Sequence, residues 1–176
     1  MENQTTSSKS IMINHGLILG LISVLFSVSV YALGDVYDQH WSISVISLLV
    51  MVAVLVMGIK KFKASNGGFL TIGGAIKIGL GIALISGIIS VLYTFVFTSY
   101  IEPDFFMNMA QVQEQKLIDA GLTDEQIEMQ LEMMGKMSGT TMTSAMILIF
   151  SLFFGFIISL ISGAIMKEKN EEVTNI

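Results

Sequence analysis

Four long stretches of uncharged, apolar sequence decide what this chain can become. Residues 11–33, 42–59 and 140–166 contain no Asp, Glu, Lys or Arg, and residues 69–101 contain only Lys77. A bilayer core of about 30 Å needs about 20 predominantly apolar helical residues. Core helices of water-soluble proteins rarely stay uncharged over such lengths. The expected fold is therefore all-α and polytopic, with four transmembrane helices at those positions. Charged residues make up 13% of the chain, against about 25% in an ordinary soluble domain. The mean hydropathy of +0.75 agrees.

Composition then excludes whole classes of chemistry. With no Cys, the chain has no disulfide framework, no thiolate metal site and no cysteine nucleophile. It has nine Lys, no Arg and a net charge of −5, so nucleic acid is not an expected partner. A cleaved signal peptide is set aside for the first run, because its apolar stretch exceeds the roughly 7–15 residues of an h-region.

The third run is too long to cross upright, since its 33 residues would extend about 50 Å as a helix. Six glycines between positions 67 and 81 crowd its start. The expectation is an interfacial helical stretch at 69–77 followed by a membrane portion at 78–100, with Lys77 snorkelling to the headgroups.

Lysine placement sets the expected orientation. Lys9, Lys60, Lys61, Lys63, Lys77, Lys167 and Lys169 fall on one side. Lys116 and Lys136 fall on the other, together with ten acids: Asp35, Asp38, Glu102, Asp104, Glu114, Asp119, Asp124, Glu125, Glu128 and Glu132. The positive-inside rule then puts both termini, residues 1–10 and 167–176, in the cytoplasm as short tails. Tyr31, Tyr37, Trp41 and Tyr100 cluster at the expected outer ends, as interfacial aromatics do.

Residues 102–139, between spans three and four, are the one extramembrane stretch with helical signals of its own. Pro103 suits a first helical position, and Gly121 suits a helix end. Thr123 with Gln126 reads as a capping box, and Leu122 with Ile127 as a hydrophobic staple. Two helices, at about 103–120 and 123–137, are expected to form a small acidic helix–turn–helix outside the cell. Phe105, Phe106, Met109, Ile127, Leu131 and Met134 form its apolar stripe. Too small to fold alone, it must lean on the membrane or on the bundle.

Several of these pieces together resemble a bacterial membrane family known as domain of unknown function 4199. They are the Lys-rich loop, Asn66-Gly67-Gly68-Phe69, Ala75-Ile76-Lys77, Tyr100-Ile101-Glu102-Pro103-Asp104-Phe105, and the Gly-rich last span from Gly155 to Gly163 with its following Lys. The resemblance covers about residues 15–169. The family more usually has Asp where Glu102 stands, a conservative departure. What it implies is a four-helix bacterial membrane protein; it carries over no activity and no site residue.

Candidate sites are few. Gly79, Ala83 and Gly87 form one ladder of small residues at every fourth position, and Ser151, Gly155, Ser159 and Gly163 form another. Such ladders let helix backbones approach closely in lipid. Gly16 and Gly20 form a shorter one. Met129, Met133 and Met137 stack on one helical face. Thioethers there could hold Cu(I), although adaptable apolar contact is the commoner use of such a face. Lys77 is a possible functional charge, and His15 reads as an interfacial residue at a helix start.

No His-Glu-x-x-His, Gly-x-Ser-x-Gly or P-loop motif occurs. The expected protein is therefore non-enzymatic and without cofactor, a multi-pass protein of the bacterial cytoplasmic (inner) membrane. It would act through contacts with lipid, a protein partner or a second copy of itself. The alternative is a small transporter or permeation unit with Lys77 in its path, and the two differ in whether a polar cavity reaches mid-membrane.

Overall fold

A computed structural model of the chain describes residues 7–168 except 35 and 38. Most of both terminal tails, together with Asp35, Asp38 and Lys169, lies outside the described residues. Six α-helices follow one another: α1 (Ser8–Ala32), α2 (Trp41–Ser65), α3 (Ile72–Val96), α4 (Phe105–Asp119), α5 (Asp124–Met137) and α6 (Thr140–Met166). A single π-helical turn, Phe97–Ile101, prolongs α3. Helices α1, α2, α3 with its π turn, and α6 are each long and apolar enough to cross a membrane.

The helices outlast the apolar runs that announced them. The first starts at Ser8 rather than at residue 11, and the second continues from residue 59 through Lys60, Lys61 and Lys63 to Ser65. Lysine ends an apolar run without ending a helix, because its unbranched stem keeps helical propensity. What stops α2 is the left-handed backbone at Gly67 (φ 65°), where the Gly68 N–H turns back to the Lys63 carbonyl at 3.0 Å.

The stretch at 69–77, expected to be helical throughout, is helical only from Ile72 onward. Phe69 and Leu70 precede the helix, the Thr71 hydroxyl caps it by accepting from the Gly74 N–H at 3.0 Å, and α3 then passes Lys77 without interruption. Leu70 instead pairs with Glu168 through two backbone hydrogen bonds of 3.2 and 3.0 Å. The Glu168 carboxylate also reaches Lys63 Nζ at 2.7 Å. These contacts clasp the end of α6 to the α2–α3 connection.

Helix α3 is the axis of the bundle. Along one side α1 runs parallel to it, with Met12 against Gly81, Gly16 against Ile85 and Gly20 against Ile89. Along the other side α6 runs antiparallel. Gly163 meets Ala75, Ser159 meets Gly79, Gly155 meets Ala83 and Ser151 meets Gly87, each step moving four residues up one helix and four down the other. The two small-residue ladders thus face each other. Close approach allows a polar tie, as the Ser151 hydroxyl donates to the Ala83 carbonyl at 2.8 Å. In lipid, where water does not drive helices together, such van der Waals fit and interhelical hydrogen bonds are the forces available.

The main core cluster lies in one half of the bundle. Val30 and Phe97 are buried near the other end, while Ile11, Leu55, Ile59, Leu70, Ile78 and Ile82 are buried and all lie toward the end where α1 starts and α6 ends. His15 belongs to this half too. Rather than sitting at an interface it is buried, with Nδ1 2.9 Å from the Ile11 carbonyl and its ring against Gly58 of α2, whose missing side chain leaves the room. Toward the opposite end α2 leaves its neighbours, and Val45, Ile46, Leu48 and Leu49 are exposed.

At that opposite end α4 and α5 form a helical hairpin packed chiefly on itself. Its turn holds Gly121 at φ 76°. The Thr123–Gln126 capping box is formed in both directions, at 3.0 and 3.4 Å. Ile127 is buried and Leu131 and Met134 half-buried. The first turn of α4 ties the hairpin to the spans through Phe105 and Asn108.

Candidate functional site

A cavity of about 920 Å³ fills the space that α2 leaves when it diverges. It opens sideways between α2 and α6, past Val45 and Leu48 on one lip and Phe150 and Phe154 on the other. Its floor is α3, with Leu19 and Ser23 of α1 at one side. Ser86 and Gly87 stand at the middle of α3, and Gln39 just precedes α2. The cavity therefore runs from the middle of the spans to the hairpin end. Among the described residues, no ionisable side chain lines it.

Its polar groups are hydroxyls and one amide, and they fall into two sets. Ser23 donates to the Leu19 carbonyl at 2.8 Å, Ser47 to Ile43 at 2.9 Å and Ser151 to Ala83 at 2.8 Å. Among the described residues, Gln39, Ser44, Ser86 and Ser90 make no side-chain hydrogen bond. Ser86 is only 5% exposed, yet its oxygen is not sealed off, and the space it meets is this cavity. A smaller cavity of about 210 Å³ shares Gln39, Ile43 and Ser47 with it and runs up beneath Phe97 and Phe105.

Above that smaller cavity sits a second constellation, centred on Glu102. Its carboxylate accepts from the Tyr31 hydroxyl at 2.8 Å, the Tyr37 hydroxyl at 2.9 Å and the Asn108 amide at 3.1 Å. Asn108 also donates to the Tyr37 hydroxyl at 3.2 Å. The Tyr37 ring stacks on Phe105, and Phe105 meets Phe97 edge-on. The π turn makes this geometry, because its wider winding ends with the Glu102 N–H on the Phe97 carbonyl at 2.8 Å. The donors favour the charged form, so the Glu102 carboxyl is held below the usual carboxylate range, with Tyr31 the largest cause. Glu102 therefore ties three chain segments together: the end of α1, the α1–α2 connection and the start of α4.

The other residues that sequence alone singled out are scattered. Lys77 is exposed on α3 and lines neither cavity. Met129, Met133 and Met137 share the open face of α5, each more than half exposed. Gly79, Ala83, Gly155, Ser159 and Gly163 lie in the α3–α6 contact, while Gly87 and Ser151 lie in that contact and also border the cavity.

Sequence reasoning missed the cavity and the Glu102 constellation. The available signals were modest: Ser86 and Ser90 one turn apart, Ser44 and Ser47 on the facing span, and an acid directly at a span end beside two tyrosines counted only as interfacial aromatics.

No curated protein and no solved structure matches the chain. A family model does, over residues 14–168, and its description is "Protein of unknown function (DUF4199)". That match takes in most of the first apolar span, the other three, the cavity and Glu102, and so the chain belongs to the DUF4199 family.

Proposed function

We propose that this is a non-enzymatic accessory protein of the bacterial cytoplasmic membrane, acting through lipid or protein contacts made within the bilayer. The observation that carries the reading is the lateral cavity: uncharged, mostly apolar, and open between two spans toward the surroundings of the bundle. Charge-coupled transport uses ionisable groups inside the membrane. Among the described residues none lines the cavity, and Lys77, the intramembrane charge of the sequence, lies elsewhere.

In this reading both termini are cytoplasmic, the α4–α5 hairpin is outside, and the cavity belongs to the outer leaflet. The lysine asymmetry supports that orientation. Reporter fusions after residues 68 and 176 should score cytoplasmic, and one within 114–132 should score outside. The contact reading is tested by photo-crosslinking amino acids at Leu48 and Phe154 on the lips, compared with Leu21 on an exposed face of α1. Discrete adducts confined to the lips support it. The same diffuse products at all three positions would overturn it.

A further inference from the structure

We propose that the lateral cavity is the binding site of one uncharged lipid, a long hydrocarbon chain carrying a carbonyl or hydroxyl oxygen sunk below headgroup level. The inference rests on the accessory reading above and names the chemistry of its contact. Three observations converge on it.

The first is the unpartnered hydroxyl of Ser86, on a side chain 95% buried and turned to the cavity. Ser90 stands one turn further along the same floor, with Ser44 across from it and Gln39 at the mouth. A polar group withdrawn from water costs free energy unless it finds a hydrogen-bond partner. Here the hydroxyls and the amide can all donate, so a ligand that answers them supplies acceptor oxygens. A bare acyl chain supplies none at the depth of Ser86.

The second observation is length. Along α2 the lining residues run from Ile43 to Met51, about 12 Å at 1.5 Å per residue, with Gln39 just beyond the start of the helix. That is a little under half of a hydrocarbon core about 30 Å thick, within the depth of one leaflet. A partner's transmembrane helix must cross the full thickness, and this slot ends where Leu55, Ile59 and Ile82 close the bundle. A lipid of a single leaflet fits a slot of half depth.

The third is charge. Among the described residues the cavity walls carry none, and Glu102 and Asp104 at the hairpin end are acidic. An anionic headgroup is repelled there and an uncharged one is not. Volume agrees with this reading, since about 920 Å³ lies within the roughly 300–1,000 Å³ of mostly apolar small-molecule sites with a few placed polar groups.

The chain contains a single tryptophan, Trp41, two residues from Gln39 at the cavity mouth, and its fluorescence reports on a bound quinone. The full chain in phosphatidylcholine nanodiscs is titrated with decylubiquinone, and dioleoylglycerol or dioleoylphosphatidylglycerol is then added as competitor. Expected are saturable quenching, reversal by dioleoylglycerol and none by the anionic lipid. Ser86→Ala, which keeps the fold because it only deletes an unbonded oxygen, should weaken binding about fivefold. Ser47→Phe should abolish it by filling the slot, at an unchanged melting temperature.

Quenching that rises linearly with quinone and is the same in Ser86→Ala would overturn the proposal, as would equal competition by the anionic lipid. If a protein adduct forms at Leu48 while no neutral lipid binds saturably, this inference fails and the accessory reading stands. If the lips give neither, both fail.

Discussion

Replacing Gly79 by alanine adds one methyl group at the tightest point between α3 and α6. A Cβ built there overlaps the Ser159 hydroxyl and stands 2.7 Å from Ser159 Cβ. Ser159 cannot swing away. It is 0% exposed, and its hydroxyl donates to the Gly155 carbonyl at 2.6 Å. The backbones must therefore separate, and overpacking of this kind typically costs about 1–3 kcal/mol. Separation also stretches the Ser151–Ala83 hydrogen bond two turns away. For a chain of this size about 2 kcal/mol lowers the melting temperature by roughly 4–8 °C.

Gly73→Ala is the internal control, because nothing lies within 4 Å of a Cβ there. It should be neutral or slightly stabilising, since alanine is the better helix former. The assay is thermal unfolding in mild detergent of wild type, Gly79→Ala, Gly73→Ala and the double variant Gly79→Ala/Ser159→Gly. Because the clash is with Ser159 itself, the double variant should recover part of the loss, a non-additivity expected only of residues in contact. Gly79→Ala melting at or above the wild type, or a double variant showing strict additivity, would refute the reasoning.

Further outcomes follow from other parts of the structure. Glu102→Gln, or Tyr31→Phe with Tyr37→Phe, should release the start of α4 and raise hydrogen exchange over residues 102–110 while leaving the spans protected. Because the folded carboxyl of Glu102 is lowered, its contribution is complete above the ordinary carboxylate value and is lost as pH falls through the lowered one. The same exchange should therefore rise on acidification in wild type and respond little in Glu102→Gln. Thr123→Ala removes the capping box and should cost α5 about 1 kcal/mol, read as faster exchange over residues 124–130. Gly135→Ala, with open space around it, should stabilise the same helix by about 0.5–1 kcal/mol.

What the sequence made legible and what it hid divide along a physical line. Apolar runs, caps and glycine punctuation act locally, so the four spans and the Thr123–Gln126 box could be read from neighbours in sequence. Boundaries were misplaced where composition and backbone geometry part company, as at Lys60–Lys63, which end the apolar run and continue the helix. The Glu102 constellation was hidden because its partners lie 71 and 65 residues away, and no local pattern joins Tyr31 or Tyr37 to it. The cavity was hidden for a related reason. Serines in a membrane span read as packing residues, and only the divergence of α2 shows that Ser86 and Ser90 face open space. His15 moved from interface to interior because Gly58, on another helix, makes room for it.

The central claim is a bundle closed in the half where α1 starts and α6 ends and open sideways in the half that carries the hairpin. The chain contains no cysteine, so single cysteines can be placed without removing any. Introduced at Ser44, Ser47 and Ser90 in the opening, and at Leu55, Ile78 and Ile82 in the closed half, they can be challenged with a small membrane-permeant maleimide in intact membranes. The account predicts fast labelling at the first three positions and protection at the last three until detergent unfolds the bundle. Equal labelling in both halves, or protection at Ser44 and Ser47 with reaction at Leu55 and Ile82, would contradict it.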